Sequence, residues 1–232
     1  MFILSPESSF LHDIWTSRLQ GRGLAIGASK KAILLKDIDI GRSLTVLETQ
    51  SDVFAVEQQE NLVYTGARNG SIARFDMRLS DLRGQKLLDD HFTIGHNSVT
   101  HLNIVRCWQL LVGNMNGCLG LYDLRFARGS DPLLTFAGHN NSYTTDLALA
   151  VDPSEDFIFA AGQDRRIRAW SLQSGQVIQP PTSSSPPTSN PFCKEFDRPV
   201  AAMQVVDQKE GMFLWAASDK ELFKFHLGQL RN

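Results

Sequence analysis

The chain has 232 residues, 42% hydrophobic and 21% charged, with a formal net charge of −2. That balance belongs to an ordinary globular protein and removes the bulk electrostatic drive toward nucleic acid or an acidic membrane surface. Three cysteines (Cys107, Cys118 and Cys193) lack metal-ligand or redox spacing and point to a reducing compartment, nucleus or cytoplasm.

At the N-terminus the short apolar cluster Phe2-Ile3-Leu4 is closed by Ser5-Pro6, so neither a signal peptide nor a membrane span is expected. Residues 10–37 form a first unit by rhythm alone. Strands are predicted over 10–16, 24–28 and 32–36, with Gly21-Arg22-Gly23 and Ser29-Lys30 as turns. The two glycines have no following helix, Lys or Ser/Thr in register for a phosphate loop, so a hairpin accounts for them. A second unit, 44–78, has strands over 44–47, 53–56, 62–65 and 71–75. Arg68-Asn69-Gly70 is its hairpin turn, Asn and Gly being suited to positive φ, and it ends Phe75-Asp76-Met77-Arg78. The third unit, 91–125, repeats the plan: 91–94, then Gly95-His96, then 99–105 and 109–112, then Asn116-Gly117 as the turn. It ends Tyr122-Asp123-Leu124-Arg125.

The fourth unit, 133–173, is the fullest. Gly138-His139 follows the apolar run 133–136, residues 143–151 alternate, and Phe157–Ala161 is almost wholly apolar. A polar turn, Gln163-Asp164-Arg165-Arg166, precedes 167–170, which ends in Trp170. Residues 179–191 read QPPTSSSPPTSNP, with five prolines and no large apolar residue, and are expected to be a flexible insertion. Ser185-Pro186 within it is a candidate phosphorylation site, though a merely solvated loop is the simpler explanation. Strands over 199–206, 212–217 and 221–226, with Ser218-Asp219-Lys220 as a turn, complete a fifth unit.

Spacing ties the units together. Asp76 and Asp123 are 47 residues apart, Tyr122 and Trp170 are 48, and His96 and His139 are 43. Asn69, Asn116 and Asp164 each precede the unit's closing aromatic by six residues. Four short strands per repeat of this period, without helical periodicity, predict an all-β chain: a β-propeller with about five recognisable blades in a single domain, 1–232. Five blades and one short N-terminal strand candidate suggest an incomplete ring or open arc. A buried Trp needs a partner for its indole N–H, and a loop His and turn Asp are suitable neighbours. His139, Asp164 and Trp170 are therefore predicted to form an internal latch, with His96 and Tyr122 as its counterpart one blade earlier.

These residues resemble the WD40 repeat family in a degenerate form. Gly138-His139 with Trp170-Ser171 comes closest to its terminal signatures, and Gly95-His96 with Tyr122-Asp123 comes next. The second unit lacks Gly-His, and Phe75 and Tyr122 stand where Trp is usual. More narrowly, two consecutive blades ending aromatic-Asp-x-Arg resemble the docking box of cullin-4 ubiquitin-ligase substrate receptors, and the run through GQDRRIRAWSL is similar to the WD-repeat protein 21 group of them. The resemblance implies docking on the damaged-DNA-binding adaptor through Asp76, Arg78, Asp123 and Arg125. Asn69 and Asn116 stand where that box usually has Asp, and the third copy, Trp170-Ser171-Leu172-Gln173, has neither Asp nor Arg.

The remaining constellations read as structural. His91, His96 and His101, five apart, suit no common zinc pattern. Arg165, Arg166 and Arg168 read as a solvated turn, and Trp108 and Trp215 as core. A Ser142–His139–Asp164 catalytic set is the sharper alternative to the latch. With no other nucleophile–base pair, cofactor loop or metal set, the expectation is a non-catalytic protein-interaction module that binds neither cofactor nor metal. Direct nucleic-acid binding is not expected, because there is no basic field with interleaved aromatics.

Overall fold

The computed structural model describes residues 13–40, 44–88, 97–126, 131–142, 144, 147–179 and 190–228. Among these residues there is no helix, and none therefore long and apolar enough to cross a membrane. Among the described residues, five antiparallel meander sheets account for the regular structure, none of them closed on itself. The chain divides into two compact units, Met1–Asn114 with Leu121–Leu133, and Met115–Gly120 with Leu134–Asn232.

In the first unit, one sheet runs β1 (Thr16–Gln20), β2 (Gly23–Ala28), β3 (Lys31–Leu35) and β4 (Leu44–Glu48). The next runs β5 (Val53–Gln59), β6 (Leu62–Ala67), β7 (Ile72–Asp76) and β8 (Gln85–Leu88). Tight turns set these registers. Gly21 and Gly70 take φ of 58° and 86°, the left-handed region open to glycine, and Asn69 Oδ1 accepts bonds from the Ser71 N–H at 3.1 Å and the Ser71 hydroxyl at 2.7 Å. A third sheet has β9 (Val99–Val105), β10 (Gln109–Asn114), β11 (Leu119–Asp123) and β12 (Leu134–Thr135).

Two apolar layers hold the first unit. Ala25, Leu34, Leu47, Val53, Val63 and Phe75 form one, and Tyr64, Ile72, Leu88, Val99, Leu110 and Tyr122 another. Each fully buried Leu, Ile or Phe contributes about 1.5–3 kcal/mol relative to exposure. Close approach of neighbouring sheets requires glycine at Gly27, where an added Cβ would lie 2.6 Å from the Val53 carbonyl oxygen. Gly66 is held to glycine in the same way by Val99.

The second unit holds β13 (Leu149–Val151), β14 (Phe157–Ala161) and β15 (Ile167–Ser171), with an isolated antiparallel bridge from Trp170 to Val177 where other sheets have a fourth strand. A last sheet has β16 (Ala202–Gln208), β17 (Gly211–Ser218) and β18 (Glu221–Gly228). Phe159, Ile167, Phe196, Leu214 and Phe225 centre their shared core. Asp152, buried in the β13–β14 turn, closes that hairpin through bonds to its oxygens from the N–H groups of Ser154 (3.1 Å), Asp156 (2.9 Å) and Phe157 (2.6 Å).

The sheets are phased one strand later than the repeats read from sequence. Residues 44–47 were expected to open the second unit, but β4 pairs with β3 and closes the first sheet. Likewise the run at 133–136 supplies β12, the outer strand beside β11. The closing aromatic ends the third strand of a sheet, so the next strand in sequence is the one free to complete it. A strand over 10–16 is also displaced, β1 beginning at Thr16. Residues 2–4, 91–94, Gly95, His96, Tyr143 and most of the Pro/Ser-rich insertion, Ser185 included, lie outside the described residues.

Candidate functional site: paired Asp-x-Arg forks and a blade staple

The latch residues come together, but their bonding differs from expectation. The Trp170 indole N–H donates to the Ala137 carbonyl at 2.8 Å, not to His139, whose ring stands edge-on to the indole at 6.4 Å between centroids. His139 Nε2 lies 2.9 Å from the Ala161 carbonyl oxygen and Nδ1 3.2 Å from that of Gly117. A neutral imidazole has one N–H and so donates to one carbonyl at a time. Burial pushes the imidazole below its usual range, with the two carbonyl contacts acting against it. Asp164 does not hydrogen-bond His139, because Arg168, four residues on, takes both its oxygens at 3.0 and 2.5 Å, and only its charge reaches the imidazole. His139 is thus a staple between the Gly117 turn and the end of β14, within one unit. The same wiring removes the Ser142–His139–Asp164 alignment, since the Asp engages an arginine and both ring nitrogens face carbonyls. His96 lies outside the described residues, and its proposed partner Tyr122 is buried at the end of β11.

The two aromatic-Asp-x-Arg segments adopt one geometry twice. β7 ends at Asp76, whose Oδ1 accepts the Arg78 backbone N–H at 3.0 Å and Nε at 2.9 Å, while Oδ2 accepts Nη2 at 2.6 Å. β11 ends at Asp123, whose Oδ1 accepts the Arg125 N–H at 2.9 Å and Nε at 3.0 Å, with Nη2 on Oδ2 at 2.7 Å. Each Asp therefore does two jobs: it closes the turn, and it holds a guanidinium through a two-pronged pair. The cost falls on its proton. The Arg78 bonds hold the Asp76 carboxyl at about 2, and Arg125 likewise lowers that of Asp123.

Both guanidiniums remain open to solvent despite the pairing, with side chains 66% and 57% exposed. Their floors differ. Arg125 stacks on Trp108 at 4.0 Å from the ring centroid and has Phe126, 70% exposed, on its other flank at 5.8 Å. Trp108, half-buried and expected in the core, is thus a platform for an arginine. Trp215 is half-buried too, with the Lys224 ammonium 5.3 Å from its ring. The Arg165–Arg168 turn is laced by ion pairs, Arg165 and Arg166 with Glu195 and Arg168 with Asp164. The stacking aromatic was missed because Trp108 precedes its arginine by 17 residues; pairing across the hairpin, where Leu124 N–H donates to the Trp108 carbonyl, brings them together.

A family model of the DDB1- and CUL4-associated factor 4 beta-propeller domain matches residues 13–201, which include both forks, the staple and four of the five sheets. The chain belongs to this family. DDB1- and CUL4-associated factor 4 of Bos taurus is 30% identical over 181 residues, 75% of this chain and 34% of the relative. WD repeat-containing protein 21 of Schizosaccharomyces pombe is 29% identical over 155 residues, 64% and 35% of the two chains. The chain thus spans about a third of the length of these relatives. Among solved structures, the WD40 beta-propeller domain of Doa1 aligns over 90% of this chain and 61% of its own, with a TM-score of 0.62 at 20% identity. The computationally designed Ika8 protein gives the same TM-score at 18% identity. Identity at that level speaks for the fold alone. The family model agrees with the resemblance to the WD repeat protein 21 group carried by the run through GQDRRIRAWSL, which follows the two Asp-x-Arg segments. Membership makes the chain a WD40-type propeller of the protein-interaction kind.

Proposed function

We propose that the chain is a substrate receptor or adaptor of a cullin-4 ubiquitin ligase, active in the nucleus or cytoplasm. It docks on the damaged-DNA-binding adaptor through the rim that presents Arg78 and Arg125, and it performs no catalysis of its own. The observation that carries this reading is the duplicated fork: in two consecutive sheets the third strand ends in the same Asp-held, solvent-facing guanidinium. An arginine already fixed by its aspartate loses little side-chain freedom on binding, and its remaining N–H groups are aimed outward for carboxylates or carbonyls. The names of the relatives, DDB1- and CUL4-associated factors, support the same kind of partner.

A second reading has its own support. Because Arg78 and Arg125 each pair within the blade, the forks also serve as strand-end clamps in a general scaffold with no ubiquitin role. Affinity capture with the tagged chain, wild type against Arg78→Ala plus Arg125→Ala, separates the two. Recovery of adaptor and cullin by the wild type, reduced about tenfold or more in the double variant, is the outcome expected of a receptor. Equal recovery by both, or recovery of neither partner by folded wild type, leaves the scaffold.

A further inference from the structure

Beside the first fork, Arg74, Arg78 and Arg83 line a cavity of ≈ 230 Å³ with Asp76, Gln85 and Leu62. Two of the three arginines are in close ion pairs. Arg78 is held by Asp76 and feels the charge of Glu60, and Arg83 pairs with Asp81 at 3.1 Å. Arg74 differs. It is half-buried at the centre of β7, between Tyr64 on β6 and Gln85 on β8 in the strand register. Its hydrogen-bond partners are neutral: Nη2 donates to Gln85 Oε1 at 2.5 Å, and the guanidinium bonds the Tyr64 hydroxyl, which burial pushes up and Arg74 pulls down. The carboxylate whose charge it shares, Asp76, is already held by Arg78. Among the described residues it makes no ion pair. A half-buried guanidinium whose one carboxylate neighbour is already committed to another arginine is left short of negative charge, and the entry of a further anion relieves it.

We propose that Arg74, with Arg78 and Arg83, forms a socket for one carboxylate side chain on an acidic segment of a protein partner. The inference rests on the reading of this rim as the docking face, and it adds two residues outside the Asp-x-Arg motif. Three guanidiniums stand against the two carboxylates paired with them, Asp76 and Asp81, an excess of one positive charge that one carboxylate neutralises and a phosphate dianion would exceed. Planar guanidinium forks match a carboxylate's two oxygens. Leu62 and Leu79, the latter 59% exposed, offer apolar surface for the methylene stem of an incoming Glu or Asp.

Fluorescence polarisation with labelled poly-glutamate and poly-glutamine peptides, at low salt, tests the socket directly. Wild type binds poly-glutamate and not poly-glutamine, and added salt weakens the binding. Arg74→Gln reduces affinity about tenfold. Arg83→Gln, at a side chain 89% exposed and therefore safe for folding, reduces it about threefold. Unchanged affinity in Arg83→Gln and in folded Arg74→Gln overturns the proposal, as does equal binding of the two peptides by wild type. Saturable binding of inorganic phosphate in place of poly-glutamate overturns it in favour of a phosphate site. Adaptor capture by the same variants keeps the two readings apart. Loss of both capture and peptide binding joins the socket to the adaptor, whereas peptide binding by a wild type that captures no adaptor upholds the socket and removes the adaptor as its occupant.

Discussion

Three strands end in the same way in this molecule and only two of them end in a fork. β7, β11 and β15 close on Phe75, Tyr122 and Trp170, each at most 2% exposed. In all three the residue after or at the strand end turns the chain by accepting a backbone N–H two residues on: Asp76 from Arg78 at 3.0 Å, Asp123 from Arg125 at 2.9 Å, and Ser171 from Gln173 at 3.2 Å. A serine hydroxyl serves that turn nearly as well as a carboxylate. The aromatic and the acceptor are therefore what the fold requires. The arginine, and the second carboxylate oxygen that holds it, are additions that the third copy dispenses with, and additions that the fold does not need are where binding is expected to reside.

The strongest way to break this comparison is at the aromatic. Trp170→Ala removes a side chain with no exposed surface and is expected to cost about 3–5 kcal/mol. Trp170→Phe keeps most of the volume, loses the bond to the Ala137 carbonyl, and should cost about 1–2 kcal/mol. Denaturant midpoints at constant slope give both values. Were Trp170→Ala to leave the midpoint where it was, the aromatic would not be the structural half of the motif, and the division drawn here would fail.

The periodicity of this chain made the strands legible, because alternation and turn residues are local signals. Asn69 and Gly70 announced their hairpin, and Phe157–Ala161 its burial on two faces. Phasing was not legible: whether residues 44–47 belong to the sheet before or after them depends on which edge lies free, and that is a pairing between strands, not a property of either. The latch shows the same limit one level down. His139, Asp164 and Trp170 lie near one another, yet their bonds go elsewhere, since Arg168 takes Asp164 and backbone carbonyls take the ring nitrogens of His139 and the indole N–H of Trp170. The forks were visible as Asp-x-Arg, while Trp108 beneath Arg125 and the neutral hydrogen-bond partners of Arg74 arise only from cross-strand register.

A smaller effect sharpens the electrostatic half of the comparison. The Asp76 carboxyl, at 3.8 in an unperturbed chain, is held at about 2 by the Arg78 bonds. Since the folded value lies below the unfolded one, the pair's contribution to stability is present above about pH 4 and is lost as pH falls through about 2. At so exposed a site that contribution is slight. The titration itself is the cleaner measurement: carbon-detected NMR of the side-chain carboxyl should give a midpoint near 2 in the wild type and one returned toward 3.8 in Arg78→Ala. A wild-type midpoint already at the ordinary value would mean that the fork is not held in solution.

The third copy allows the reverse test, building rather than breaking. Ser171 already occupies the acceptor position, its hydroxyl receiving the Gln173 N–H, and Gln173 is exposed. Ser171→Asp with Gln173→Arg should therefore assemble a fork on β15 without disturbing the core, changing stability by no more than about 0.5 kcal/mol. The introduced carboxylate should titrate below the ordinary value only when the arginine is present, a coupling that either substitution alone cannot produce. If it does titrate low, the turn geometry is sufficient to hold the arginine, and the absence of a fork in that sheet reflects what the rim there binds, not what the chain there can form. If it titrates normally, the forks of Asp76 and Asp123 owe their geometry to surroundings that β15 lacks. For Asp123 the nearest difference is the Trp108 ring under Arg125, which would then be credited with orienting the guanidinium as much as the aspartate does.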